Sequence, residues 1–115
     1  MPKDDLVYIG HMLDMARKAL GKVKGKTRQD FEADENLRLA LTHLLQIIGE
    51  AAGRVSPGFK KAHDSIPWKD IIGMRHKVVH DYLNVDRNVV WKTVTEELGP
   101  LIEELKPLIP DSPED

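Results

Sequence analysis

No cysteine occurs in the 115 residues. That removes disulfides, thiol catalysis and thiolate metal sites, and leaves His, Asp and Glu as the side chains able to hold a metal. Also missing is any apolar run long enough to span a bilayer, and the start, MPKDDLVYIG, has no basic region followed by an apolar one. A cytoplasmic protein without a membrane segment is therefore expected. An overall positive charge is lacking too: the formal net charge of -2 argues against a protein that coats nucleic acid through bulk charge. The average conceals an asymmetry. Arg17, Lys18, Lys22, Lys24, Lys26 and Arg28 follow one another with no acid among them, whereas Glu96 to Asp115 is mostly acidic. Such a local basic patch can attract phosphates, and it is equally the composition of solvated helix and loop surface.

What is present describes an ordinary globular chain. With 41% hydrophobic and 31% charged residues it is not intrinsically disordered, and its length suits one domain. The expected domain covers residues 1–110, followed by an acidic tail at 111–115. A helical protein this small gains from burying an apolar face against a second copy, so a homodimer is plausible from size alone.

Helical periodicity dominates the chain. Leu6, Ile9, Leu13, Ala16 and Leu20, with Met12 and Val23, predict an amphipathic helix from Asp4 to about Val23. A Gly- and Lys-rich loop follows, then a short helical turn over Asp30–Asp34. Capped by Asp34 or Asp30, a second long helix to about Val55 carries the stripe Leu37, Leu41, Leu44, Ile48, Ala51 and Val55, widened by Leu45, Ile47 and Ala52. SPGFKKAHDSIP breaks the pattern and reads as an irregular connection. Pro67 suits the first turn of a third helix, expected to end near Tyr82 to Val85. Asp86 caps a fourth, with Val90, Val94, Leu98, Leu101, Leu105 and Leu108 as its stripe and a local bend at Pro100. The fold class is all-α: an antiparallel bundle of four main helices plus short helical turns, without strands.

Within the third helix the segment RHKVVHDYL, Arg75 to Leu83, concentrates chemistry. Ile71, Ile72, Val78, Val79 and Leu83 supply a packing face, which sends the polar residues toward a surface, a cleft or another chain. Arg75 and His80 lie about 140° apart around an ideal helix, so one straight helix does not aim both at one phosphate. A symmetric dimer brings two such helices together and gives a composite cleft with two arginines and at least two histidines. For chemistry on RNA, an imidazole at His80 can take the ribose 2′-hydroxyl proton or give a proton to the leaving oxygen. Arg75 can bind the phosphate and stabilise its developing charge, and no metal is needed. His76 and His80, one turn apart, are alternatively a metal pair lacking an identified third ligand. Arg, His and Tyr are also common on plain helix surfaces, and Tyr8, Trp68 and Trp91 read as amphipathic packing residues.

Arg75-His76-Lys77-Val78-Val79-His80-Asp81-Tyr82 resembles the R-x4-H-x-Y motif of HepT-like proteins in the HEPN superfamily. The similarity extends through LLQIIGEAAGRVSP, IPWKDIIGMRHKVVHDY and the DRNVVWKTV helix. The resemblance implies an all-α homodimer with a ribonuclease site in the dimer cleft, independent of metal and of any cofactor. Arg75 and His80 match the catalytic pair, and His76 takes a supporting position where the family carries a polar residue. It further implies a toxin of a type VII pair, whose minimal nucleotidyltransferase antitoxin transfers AMP from ATP to the motif tyrosine, here Tyr82, and can assemble with the dimer. Adenylylation adds bulk and phosphate charge beside the cleft, which hinders an incoming RNA phosphate. Some HEPN proteins are binding or accessory domains, so a non-catalytic helical partner of a nucleotidyltransferase is the alternative.

Overall fold

Four main helices carry the chain, as their hydrophobic periods demand. The computed structural model describes residues 3–81 and 84–110. Tyr82, Leu83 and the acidic stretch 111–115 lie outside the described residues, as do the side chains of His80 and its strand neighbours. Helix α1 spans Lys3–Val23 and buries Ile9, Met12, Leu13, Ala16 and Ala19. The short α2, Arg28–Ala33, starts in a capping box: Thr27 Oγ1 accepts from Asp30 N at 3.1 Å and Asp30 Oδ2 accepts from Thr27 N at 2.9 Å. Asp34, not Asp30, caps the long α3, Glu35–Arg54, by accepting from Leu37 N at 3.0 Å.

α3 is the central element, packed between α1 on one side and α5, Trp68–Val78, on the other. Its expected stripe from Leu37 to Val55 is buried throughout. The N-terminal turn of α1 is tied to the far end of α3 by the buried Asp5, whose carboxylate accepts from Ser56 N at 2.8 Å and from Ser56 Oγ at 2.7 Å. The two helices therefore run antiparallel.

The segment expected to be irregular contains α4, Pro57–Ala62. Ser56 accepts from Phe59 N at 3.3 Å and Pro57 occupies the first helical position, where its missing N–H has no intrahelical partner in any case. Phe59 then anchors the turn in the core beside Trp68, at 6.4 Å in edge contact, and Trp68 Nε1 donates to His63 O at 3.0 Å.

A larger departure concerns the third long helix. α5 ends at Val78, short of the expected Tyr82 to Val85, and the chain turns extended in β1, Val79–Asp81, which pairs antiparallel with β2, Asn84–Val85. Asp86 N donates to Val78 O at 2.7 Å, so the terminal carbonyl of the helix is taken up by a residue beyond the hairpin. β-Branched Val78 and Val79 favour that exit. Apart from this hairpin the regular elements among the described residues are helical, and the class is all-α.

Asp86 caps α6, Arg87–Lys92, through Val89 N at 3.1 Å. The disturbance expected at Pro100 takes the form of a π-turn over Thr93–Glu97, in which Leu98 N donates to Thr93 O. Slipping the register by one residue restarts the helix as α7, Leu98–Leu105, and places Pro100 in its first turn, where the absent N–H is tolerated. A 3₁₀ turn, Lys106–Leu108, follows. α7 closes the core against α1. Among the described residues no helix is long and apolar enough to cross a membrane.

Candidate functional site

The first half of the motif stands on an anchored helix. Trp68, Ile71, Met74 and Val78 are buried along one face of α5, while Arg75, His76 and Lys77 are exposed. Burial of four large side chains fixes the rotation of α5, and that rotation decides where Arg75 projects.

Arg75 does not simply extend into solvent. Its aliphatic stem lies on Gly49, a buried residue of α3: a methyl group built on Gly49 would be 2.9 Å from Cγ of Arg75 and 3.3 Å from its Cδ. The same methyl would be 3.2 Å from the backbone oxygen of Ile71. Two helices thus meet almost backbone to backbone, and the absence of a side chain at Gly49 leaves the channel that the arginine stem occupies. Sequence reading passed over Gly49. The signal available was a glycine set in the run Ile48-Gly49 and Ala51-Ala52 of the helix expected to be most buried, a small-residue surface that permits close approach.

His80 follows on β1, not on the helix. The helical separation of about 140° from Arg75 therefore does not describe the pair, because the backbone changes direction between them at Val79. His80's side chain and the whole of Tyr82 lie outside the described residues, so the structure places two of the four expected site side chains, Arg75 and His76. Among the described residues, no group of three or more His, Asp or Glu side chains converges as metal ligands.

The hairpin is held at its exit. β2 leads into α6, and Arg87 donates to Glu32 at 2.9 Å. Glu32 also accepts from Arg28 Nε at 2.8 Å, and Arg28 reaches Asn88 Oδ1 at 2.6 Å. These hydrogen bonds from Arg28 first, and then from Arg87, hold the Glu32 carboxyl below its ordinary pKa. Arg38 closes the other side of α2 by donating to the carbonyls of Phe31, at 3.2 Å, and Glu32. Between α3 and the hairpin a pocket of about 410 Å3 opens, lined in part by Arg38, Leu39, Thr42, Val85 and Arg87. Leu39 and Val85 on its rim are 59% and 38% exposed, so apolar surface remains beside the polar motif.

Against known proteins, a family model described as "Ribonuclease HepT-like" matches residues 12–108. The chain belongs to the HepT-like ribonuclease family. By class it is an endoribonuclease fold built for RNA cleavage. A provisionally named RNase of Caldanaerobacter subterraneus subsp. tengcongensis is 34% identical over 102 residues, covering 89% of this chain and 91% of that protein. A Thermococcus cleftensis protein provisionally named as the ribonuclease HepT is 41% identical over 73 residues, 64% of this chain and 66% of its own length. In Methanocaldococcus jannaschii a chain named for both a gamma-glutamylcyclotransferase and a provisional RNase is 31% identical over 105 residues, 91% of this chain and 47% of that longer one. No solved structure matches the chain.

Proposed function

We propose that the protein is the ribonuclease toxin of a toxin–antitoxin pair, acting in the cytoplasm as a homodimer and cleaving RNA without a metal through Arg75 and His80. One observation carries this reading: Arg75 stands exposed on a helix fixed by its buried face, its stem seated on Gly49, five positions ahead of His80 in a chain matched by a ribonuclease family model.

The chemistry follows from the groups. Arg75 holds the non-bridging oxygens of the scissile phosphate with paired donors and offsets the charge that grows on them. His80, as neutral imidazole, takes the proton of the adjacent 2′-hydroxyl. The O2′–P bond forms and the P–O5′ bond breaks, its electron pair passing to O5′, which takes a proton from the partner's His80 in imidazolium form. The products are a 2′,3′-cyclic phosphate and a 5′-hydroxyl. DNA, without the 2′-hydroxyl, is not cut. His76, exposed and next to Arg75, supports phosphate binding at the cleft edge.

Tyr82 is the regulatory acceptor in this reading. Its phenol oxygen attacks the α-phosphate of ATP bound to a minimal nucleotidyltransferase partner; pyrophosphate leaves, and the phenol loses its proton. The added phosphate repels an RNA phosphate from the cleft. Partial exposure of Leu39 and Val85 beside the hairpin supports a second copy docking there.

Purified protein should cleave RNA in EDTA and spare DNA, and Arg75→Ala and His80→Ala should each abolish cleavage while circular dichroism stays helical. Full activity in His80→Ala, or a strict metal requirement, would refute the mechanism. Incubation with the partner enzyme, ATP and magnesium should add AMP mass to the wild type and leave Tyr82→Phe unmodified and active; silencing of the Phe variant as readily as the wild type would remove Tyr82 from the scheme.

A further inference from the structure

The basic run from Arg17 to Arg28 is only partly consumed by the fold. Arg28 is bonded to Glu32 and Asn88, and Lys26 lies close enough to Asp30 to help hold that carboxyl below its ordinary pKa, behind the hydrogen bonds from Thr27. Arg17, Lys18, Lys22 and Lys24 are exposed, and none of the four forms an ion pair among the described residues.

Two of them border a groove. Lys18, Gly21 and Lys22 of α1 face Ala40, His43 and Leu44 of α3 across a space of about 570 Å3. Gly21, Ala40 and Leu44 contribute small or apolar surface, the two lysines and His43 supply nitrogen donors, and no carboxylate lines it. A methyl group added at Gly21 would meet nothing within 4 Å, so packing does not require the glycine, and it leaves the groove open. The C-terminal end of α1 presents carbonyl dipoles equivalent to about half a negative charge, which disfavour an anion there. Lys18 and Lys22 outweigh that partial charge, with Arg17 and Lys24 adding to the same field.

We propose that this α1–α3 groove binds the backbone of single-stranded RNA outside the cleavage site, a phosphate between Lys18 and Lys22 and a base or ribose over Gly21 and Ala40. The proposal rests on the ribonuclease reading and adds a second contact to it. α3 carries both sites on different flanks: His43 and Gly49, the residue under Arg75, are six residues apart, about 9 Å along the helix axis and about 120° around it. A strand held at Arg75 reaches the groove by crossing over α3 from its α5 flank to its α1 flank. Each phosphate neutralised releases counterions, so the groove contributes affinity that falls with salt.

Anisotropy of a labelled single-stranded RNA, titrated with His80→Ala protein at several potassium chloride concentrations, reads binding apart from cleavage. Lys18→Glu combined with Lys22→Glu should weaken binding by about tenfold at low salt and make the salt slope shallower by about 0.7, the value for one single-strand phosphate contact. In the active background the same pair should raise KM and leave kcat in place. Gly21→Leu moves two readouts in opposite directions: a better helix former fills open space and holds or raises Tm, while it blocks the groove and weakens RNA binding. Unchanged affinity and salt slope in the double variant, or unchanged affinity in Gly21→Leu, overturns the proposal. Wild-type protein that fails to cleave RNA at all would instead overturn the ribonuclease reading, whatever the groove binds.

Discussion

A methyl group on Gly49 would sit 2.9 Å from Cγ of Arg75, and that single distance links a core position to the site. Gly49→Ala gains helix propensity of about 1 kcal/mol and meets an overpacking cost of about 1–3 kcal/mol. The arginine stem is flexible, but the Ile71 oxygen, 3.2 Å away, belongs to the backbone and must yield. Net stability should change by no more than about 2 kcal/mol, while the displaced guanidinium lowers kcat by at least about tenfold, the effect of a misplaced positioning group. Cleavage assays beside thermal melts test this. Wild-type cleavage by Gly49→Ala would refute the link. Arg75, His80 and Tyr82 were legible as a spaced motif, since residue types and intervals are written in the sequence. Gly49 was not, because its role exists only where α3 and α5 meet, more than twenty residues apart in the chain.

Element boundaries were legible where local chemistry sets them. Asp34 and Asp86 each cap a helix with their own side chain, and Pro100 marked the disturbance that appears as the π-turn; Ser56-Pro57, read as part of an irregular connection, starts α4 instead. The end of α5 was not legible. Val78-Val79 continue an apolar helical pattern, and what stops the helix is the pairing of Val79 with Val85 and the capture of Val78 O by Asp86 N, contacts made only after the chain has turned back. Asp86 thus joins the hairpin to α6 through its backbone N–H on one side and its cap on the other. Asp86→Ala should cost about 1 kcal/mol, a fall of about 4 °C in Tm, whereas Asp86→Asn keeps the cap and most of that stability; identical melts for Ala and wild type would show that the cap is dispensable. The α2–α6 tie predicts a pH effect. Glu32's carboxyl is held low in the folded state by Arg28 and Arg87, so the unfolded chain binds its proton more readily. Its contribution is complete above the unfolded pKa of about 4.3 and is lost as pH falls through the lower folded value. Denaturant titrations should therefore show a smaller acid-side loss for Glu32→Gln than for the wild type, with equal slopes sinking the assignment. Screening by solvent keeps the effect small.

At the scale of the molecule the dimensions are 44 × 33 × 20 Å. The short axis is only about two helix diameters, so the bundle is a slab with broad faces and much of its surface close to the core. Periodicity disclosed the bundle but not this flatness, which depends on α1 and α5 flanking α3 side by side. A slab gains from a partner, and Leu39 and Val85 mark where apolar surface remains beside the motif hairpin. If the cleft is composite, a lone protomer is inactive, and activity per chain must fall as the protein is diluted through its dimer dissociation constant. Leu39→Glu places a charge in that contact. Loss of its apolar burial and desolvation of the carboxylate together should weaken association by at least about 2 kcal/mol, roughly thirtyfold. The variant should fold normally, since Leu39 is 59% exposed within the protomer. Light scattering should then find it monomeric where the wild type is dimeric, and cleavage per chain should reach the wild-type rate only at correspondingly higher concentration. Constant specific activity down to concentrations at which scattering shows monomers would place Arg75 and His80 in a site that each chain completes alone.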